Sequence, residues 1–162
     1  MYFNYSRFFV AIILFSVSFS QFYSIGDQIT LGHQAVQHDV CYGAEHHGIE
    51  EEGGRYKLSL DDYNGYINDS GIFYVIMIDM AASWWGPCWN SIGQMAAIED
   101  WFHENQNVVV MTNLDDIGQP YSCDQWGDRY QDFNEDVFPL IIDDGTVDEI
   151  WPWFHSGGYP ST

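Results

Sequence analysis

Positive charge is scarce in this chain. Its 162 residues include four Lys and Arg against 24 Asp and Glu, which gives a net charge of −20 at pH 7. Such a field repels the phosphates of nucleic acids and of anionic lipids. We therefore expect neither nucleic acid nor, after signal cleavage, a membrane among its partners. The acids are scattered along the chain, which favours a solvated acidic surface over a single recognition patch.

Long apolar runs are also lacking. The longest covers residues 8–19, whereas a membrane-spanning helix needs about 20 apolar residues. Arg7 precedes this run, and Ser18 and Ser20 occupy the small-residue positions of a cleavage site. That order is typical of a secretion signal. The sequence therefore predicts a signal peptide over residues 1–20 and an extracytoplasmic protein, periplasmic or secreted.

Cysteine is rare, with three residues in the whole chain. In an exported protein, one interpretation is a structural disulfide between Cys41 and Cys123, which would close a long loop. The other is that these two cysteines are free and unrelated. The odd total leaves at least one cysteine without a partner in the same chain.

Residues 21–68 have no sustained helical or strand period, and we predict an irregular N-terminal extension there. Its potential metal ligands are His33, His38, Cys41, His46 and His47. Their spacing matches no tight metal site. We therefore expect a polar extension and no metal.

The pattern sharpens over residues 69–162, the predicted folded domain. Residues 72–78 form a continuous apolar run, as expected for a strand that is buried on both faces. Residues 108–111 and 138–142 are two further strand candidates. Strands that alternate with helices indicate an α/β fold with a sheet that is at least partly parallel.

Two helices are predicted between these strands. Pro87 suits a first helical turn, and a mostly apolar face follows at helical spacing: Ile92, Met95, Ala96, Glu99 and Phe102. Ser122 and Gln125 fit a capping box, which predicts that the second helix begins at Ser122. Its apolar face would be formed by Trp126, Tyr130 and Phe133.

The turn into the first helix carries the most specific motif, Trp84-Trp85-Gly86-Pro87-Cys88. Asp79 lies six residues before Trp85, at the predicted end of the strand. Residues 158–162 read Gly-Tyr-Pro-Ser-Thr. Together these features resemble the thioredoxin superfamily, in its exported, cytochrome-maturation-like branch of thiol–disulfide oxidoreductases.

The resemblance extends over residues 56–162 and implies a thioredoxin-like three-layer α/β/α fold with a mixed sheet. Residues 58–65 look like the segment that precedes the first core strand in that branch. Residues 138–145 look like its strand-and-turn insertion, and residues 158–162 look like its cis-proline turn.

The resemblance also assigns roles to individual residues. Cys88 matches the resolving cysteine, with an inert buried side chain as the alternative. Asp79 would accept the proton of Cys88, unless it is a solvent-exposed acid at a strand end. Trp84 would shield the thiol and contact substrate, or else pack in the core. Pro160, in a cis peptide, would present the backbone of Tyr159 to an extended substrate.

One departure from the family concerns the attacking group. Trp85 occupies the position of the attacking cysteine, which the helix N-terminus would hold as a thiolate. An indole has no nucleophile for this chemistry, so the dithiol cycle is impossible with tryptophan there. A UGA codon specifies selenocysteine in a suitable RNA context and would be read as Trp under the wrong code. We therefore hypothesise that selenocysteine or cysteine belongs at position 85, and a fourth cysteine-like residue would also make the count even.

A second departure is that the sequence stops at the cis-proline turn. The family continues with two strands and a helix that cover one side of the sheet. Without them the sheet would have a bare hydrophobic edge. The expectation is a truncated gene model or fragment.

The sequence thus predicts an exported thioredoxin-like oxidoreductase that acts on disulfides of protein or small-molecule substrates. A partner reductase or thiol pool would supply electrons, and no organic cofactor is implied. The first alternative is a redox-inactive binding module in which Trp84 and Trp85 form a hydrophobic contact surface. The second is a peroxide-reducing enzyme related to peroxiredoxins, although the usual motif of those enzymes is absent.

Overall fold

The computed structural model describes residues 23–105, 107–144 and 150–154. The predicted signal peptide lies outside these residues. So do Tyr159 and Pro160, with the predicted cis-proline turn. No helix within the described ranges is long and apolar enough to cross a bilayer.

Over these residues the protein is a mixed α/β structure with six strands and four α-helices. The strands are β1 (His38–Tyr42), β2 (Glu51–Glu52), β3 (Arg55–Leu58), β4 (Val75–Ala82), β5 (Val108–Asp115) and β6 (Leu140–Asp143). The helices are α1 (Leu31–Gln34), α2 (Gly86–Phe102), α3 (Cys123–Gln131) and α4 (Trp151–Phe154), and a 3-10 turn covers Leu60–Tyr63. The strands form one sheet in the order β2-β3-β1-β6-β5-β4. The pairs β4–β5 and β5–β6 are parallel, and the other pairs are antiparallel.

The prediction of an irregular extension over residues 21–68 is wrong. This segment contributes α1 and the strands β1, β2 and β3, and β1 pairs with β6 inside the sheet. The sheet therefore crosses the predicted domain boundary at residue 69. These strands were missed because they are short and largely polar, with exposed Arg55 and Lys57 alternating with more buried Tyr56 and Leu58.

A turn signal in this segment could have revealed the hairpin. Gly53 and Gly54 join β2 to β3 with φ angles of +61° and +87°. A two-residue hairpin turn of the primed type requires positive φ at both central positions, where glycine is strongly preferred. The Gly-Gly pair between two short polar runs is therefore the local cause of the hairpin.

The strand predicted over residues 72–78 is displaced along the chain, and it is buried on both faces only in its C-terminal half, where Met80 and Ala81 pack in the two opposite clusters. It runs from Val75 to Ala82 and forms one end of the sheet. Val75 is 67% exposed, and Ile72 and Phe73 precede the strand in exposed positions. An edge strand has only one hydrogen-bonded neighbour among the described residues. That neighbour is β5, and the apolar side chains at and before the start of β4 are exposed.

The two long helices agree with their sequence signals. Pro87 lies in the first turn of α2, and Ile92, Met95, Ala96 and Glu99 are buried. Ser122 caps α3, and its side chain and that of Gln125 form the reciprocal capping box. Phe133 differs from the prediction, because it follows the end of α3 and is exposed.

Two apolar clusters lie on opposite faces of the sheet, as the alternation of strand side chains requires. Val110 and Leu114 of β5 pack in the cluster formed with α2 and α3. Met111 of the same strand packs in the other cluster, together with Trp153 of α4 and Leu58 of β3. The long helices thus cover one face, and short elements cover the other.

A disulfide joins the sheet to a helix. Cys41 of β1 and Cys123 of α3 are bonded, with their Cα atoms 6.2 Å apart and a sequence separation of 82. The predicted structural disulfide is therefore present. Cys88 is the remaining cysteine, and it is free and buried.

Removing this disulfide should lower the free energy of unfolding by about 4 kcal/mol, because an open loop of 82 residues adds entropy to the unfolded chain. Urea unfolding of the Cys41→Ser/Cys123→Ser variant measures the loss. Wild-type protein reduced with dithiothreitol is the matched control and should unfold at the same urea concentration as the variant. An unchanged midpoint in both samples would show that the bond carries no stability.

Candidate active site

The Trp-Trp-Gly-Pro-Cys motif lies where β4 turns into α2. Trp85 is the N-cap of α2, and the backbone N–H of Cys88 donates to the carbonyl of Trp85 at 2.9 Å. Position 85 therefore lies at the positive end of a 17-residue helix. Anionic groups are stabilised there by the unpaired N–H groups and the helix dipole.

Both tryptophans of the motif are partly exposed. Trp84 is 43% exposed and Trp85 is 42% exposed, and their rings meet edge to face with centroids 6.0 Å apart. The indole Nε1 of Trp84 donates to Asp115 Oδ2 at 2.9 Å. Core packing, which was the alternative for Trp84, therefore does not describe this side chain. Its ring instead lies at the surface beside position 85.

Cys88 lies in the first turn of α2 and is only 1% exposed. Burial raises the pKa of its thiol, and the charge of Asp79 raises it further, while hydrogen bonds with the backbone at Ala82 and at Cys88 itself act in the opposite direction. A buried, protonated thiol is a poor primary nucleophile. Cys88 is thus better suited to resolve a mixed disulfide than to attack a substrate or a peroxide alone.

Asp79 is buried within β4, three residues before its end, and not at the end of the strand as predicted. Burial raises the pKa of this carboxyl to about 6. The solvent-exposed acid that was its alternative is therefore not observed. Because Asp79 acts electrostatically on Cys88, the structure brings together the two groups that the sequence paired.

Two buried hydroxyl groups lie near Asp79, one on β5 and one on α3. Thr112 lies opposite Asp79 in the β4–β5 register. The hydroxyl groups of Thr112 and Tyr130 are 2.9 Å apart. Burial raises the pKa of Tyr130, as do the charges of Asp79 and Glu99, while the Thr112 hydrogen bond lowers it.

Glu99 is a second buried acid, which the sequence did not single out as functional. It lies on the apolar face of α2, and burial raises its pKa to about 8. The sequence signal that could have identified it is an acidic residue at helical spacing among Ile, Met and Ala. In the sequence alone, Glu99 is one polar interruption of a stripe that faces the core.

Three histidines of the N-terminal segment make separate contacts with aromatic rings or with the backbone. His33 stacks on Trp153 with ring centroids 4.5 Å apart, and His46 stacks on Phe138 at 3.4 Å. His47 Nε2 lies 2.8 Å from the carbonyl oxygen of Phe138. Within residues 23–105, 107–144 and 150–154, no group of three or more His, Cys, Asp or Glu residues is arranged to hold a metal ion.

No family model, curated protein or solved structure matches this chain. What the site can do chemically is therefore inferred from its own residues: an exposed position 85 at a helix N-terminus, a buried thiol one turn later, and a buried carboxyl beside that thiol.

Proposed function

We propose that the chain is an exported thioredoxin-like thiol– or selenol–disulfide oxidoreductase whose attacking group belongs at position 85. The observation that carries this proposal is the position of residue 85, which is exposed at the N-terminus of α2, one turn before buried Cys88. The arrangement of long helices on one face of a mixed sheet and short elements on the other supports a thioredoxin-like three-layer fold.

The reaction would proceed by two exchanges. A thiolate or selenolate at position 85 bonds to one sulfur of a substrate disulfide and displaces the other sulfur as a thiolate. Cys88 then attacks the atom at position 85, which releases the first substrate sulfur and closes a bond between positions 85 and 88. The substrate gains two electrons, and a partner reductase or thiol pool restores the reduced pair.

Asp79 would take the proton of Cys88 in the second exchange. With a pKa of about 6 it is mostly ionised at neutral pH, yet it binds a proton more readily than an ordinary carboxylate. The protein substrate or small disulfide would approach the exposed side of position 85. Tyr159 and Pro160 would guide an extended peptide there, as the resemblance implies. The Cys41–Cys123 disulfide is compatible with the extracytoplasmic location proposed for this activity.

The identity of residue 85 in the natural protein tests this proposal. Peptide mass spectrometry of protein isolated from its source, together with sequencing of codon 85, should find cysteine or selenocysteine. That protein should reduce insulin disulfides with dithiothreitol as electron donor, and a Cys88→Ser variant should lose turnover. Tryptophan encoded by UGG, in a protein inert toward insulin, would refute the oxidoreductase.

The second candidate function is a redox-inactive binding module, and the exposed aromatic surface favours it. Ile117 lies beside the motif, since its N–H donates to Ser83 Oγ at 3.2 Å, and it is 58% exposed. Together with Trp84 and Trp85 it would provide a hydrophobic patch of the kind that anchors protein contacts. A partner that binds the Trp85 form and is lost on Trp84→Ala would support this function.

A further inference from the structure

A cavity of about 480 Å³ lies far from the Trp85 site. It is lined by the C-terminal part of α2 and by Val108, Val109 and Val110 at the start of β5. Position 85 lies near the other end of β5, because the backbone N–H of Ser83, two residues earlier, donates to the carbonyl of Asp115. Six residues of strand separate Val109 from Asp115, a distance of about 20 Å. The volume is within the range of small-molecule sites.

Glu99 lines this cavity and is only 8% exposed. No described residue donates a hydrogen bond to its carboxylate, and the nearest basic nitrogen is His47 Nε2 at 4.0 Å. That nitrogen is instead within hydrogen-bonding distance of the Phe138 carbonyl, at 2.8 Å. Burial without a partner disfavours the ionised form of this carboxyl, and a ligand that brings positive charge would stabilise that form.

The remaining walls are suited to an organic cation. Four aromatic side chains line the cavity, namely Tyr63, Tyr74, Phe102 and Phe138. Aromatic faces attract ammonium groups and also bury the carbon skeleton of a ligand. The described lining residues include Asp62 and Asp136 but neither Lys nor Arg. The field at this cavity therefore opposes an anionic ligand.

We propose that this cavity binds a small organic amine, whose ammonium group pairs with the Glu99 carboxylate while its carbon skeleton packs on the aromatic walls. A neutral ligand could not form this ion pair. A metal ion is disfavoured because the described side chains offer no set of three ligands. The proposed site does not depend on the identity of residue 85.

The number of protons released when an amine binds depends on Glu99 and on the ionisable groups around it. With a pKa of about 8, Glu99 is mostly protonated at pH 7 and must ionise to pair with an ammonium group. Burial and the nearby charge of His46 lower the pKa of His47, while the Phe138 hydrogen bond raises it. His103, Asp62 and Asp136 are the other ionisable groups on the walls besides the tyrosines, and Tyr130 faces Glu99 from the interior.

Isothermal titration calorimetry on the full chain tests the site, with phenethylammonium chloride as the probe. At pH 7 the amine should bind at least about tenfold more tightly than its neutral counterpart 2-phenylethanol, a difference of about 1.4 kcal/mol. The measured enthalpy should differ between phosphate and HEPES buffers, because close to one proton leaves Glu99 for each amine bound.

Two substitutions complete the test. Glu99→Gln should weaken amine binding at least about tenfold and abolish the buffer dependence. Glu52→Gln removes an exposed acid of β2 and the same formal charge, so it should bind like wild type. Circular dichroism and thermal unfolding confirm that both variants are folded. Equal affinity for the alcohol, full affinity in Glu99→Gln, or no amine binding by the folded wild type would overturn the proposal.

Discussion

Replacing Trp85 with cysteine should give the chain a disulfide-reducing activity that the tryptophan form lacks. The new thiol would lie at the N-cap of α2, where the helix N-terminus stabilises a thiolate, and one turn from buried Cys88. We expect dithiothreitol-driven insulin reduction at least about 10²-fold above that of the Trp85 form, a factor that positioned proton transfer alone can supply.

Two control variants separate this geometry from the mere addition of a thiol. Trp84→Cys places cysteine one residue earlier, outside the helix cap, and should give little turnover. Trp85→Cys/Cys88→Ser keeps the attacking thiol but lacks the thiol that would release the substrate. It should therefore accumulate a mixed disulfide with the substrate, which mass spectrometry can detect. Equal activity of Trp84→Cys and Trp85→Cys would contradict the active-site assignment.

The pH profile of the Trp85→Cys protein reports on Asp79. Only the ionised carboxylate can accept the proton of Cys88, so turnover should rise as pH increases through about 6, where Asp79 titrates. Asp79→Asn should lower the rate and remove that limb of the profile. An unchanged profile would mean that Asp79 has a packing role only.

The elements that were predicted well are those with strong local signals. Helix α3 begins where the Ser122 capping box places it, and the apolar stripe of α2 faces the core. Strand β1 could not be recognised in the same way, because its pairing with β6 joins residues about 100 positions apart. Such a contact depends on the assembled sheet and leaves little trace in local sequence.

The candidate site was predictable only in part, for a related reason. Trp84, Trp85 and Cys88 could be identified from the motif itself. Asp79 could be identified because it lies six residues before Trp85. That Glu99 and His47 line one cavity depends on the packing of separate segments of the chain. Hydrophobic periodicity assigns a face to Glu99, but it does not reveal that the carboxyl lacks a partner.

Glu99→Gln should stabilise the protein strongly at pH 9 and hardly at all at pH 4. Burial raises the pKa of Glu99 from 4.5 to about 8. Below 4.5 the side chain is neutral in both the folded and the unfolded state, so its neutral amide counterpart changes little. Between 4.5 and 8 the unfolded chain loses this proton while the folded protein keeps it, so stability falls as pH rises.

Above about 8 the folded protein holds a buried, unpaired carboxylate, and the loss reaches its full value. At about 1.36 kcal/mol for each pKa unit, the shift of Glu99 corresponds to about 5 kcal/mol of lost stability, which glutamine avoids. Urea unfolding at a series of pH values from 4 to 9 measures the difference. The gain should grow with pH in Glu99→Gln and stay near zero in Glu52→Gln, whose parent side chain is exposed. Parallel curves for wild type and Glu99→Gln would mean that Glu99 titrates as an ordinary surface acid, and the amine site would then lose its buried charge.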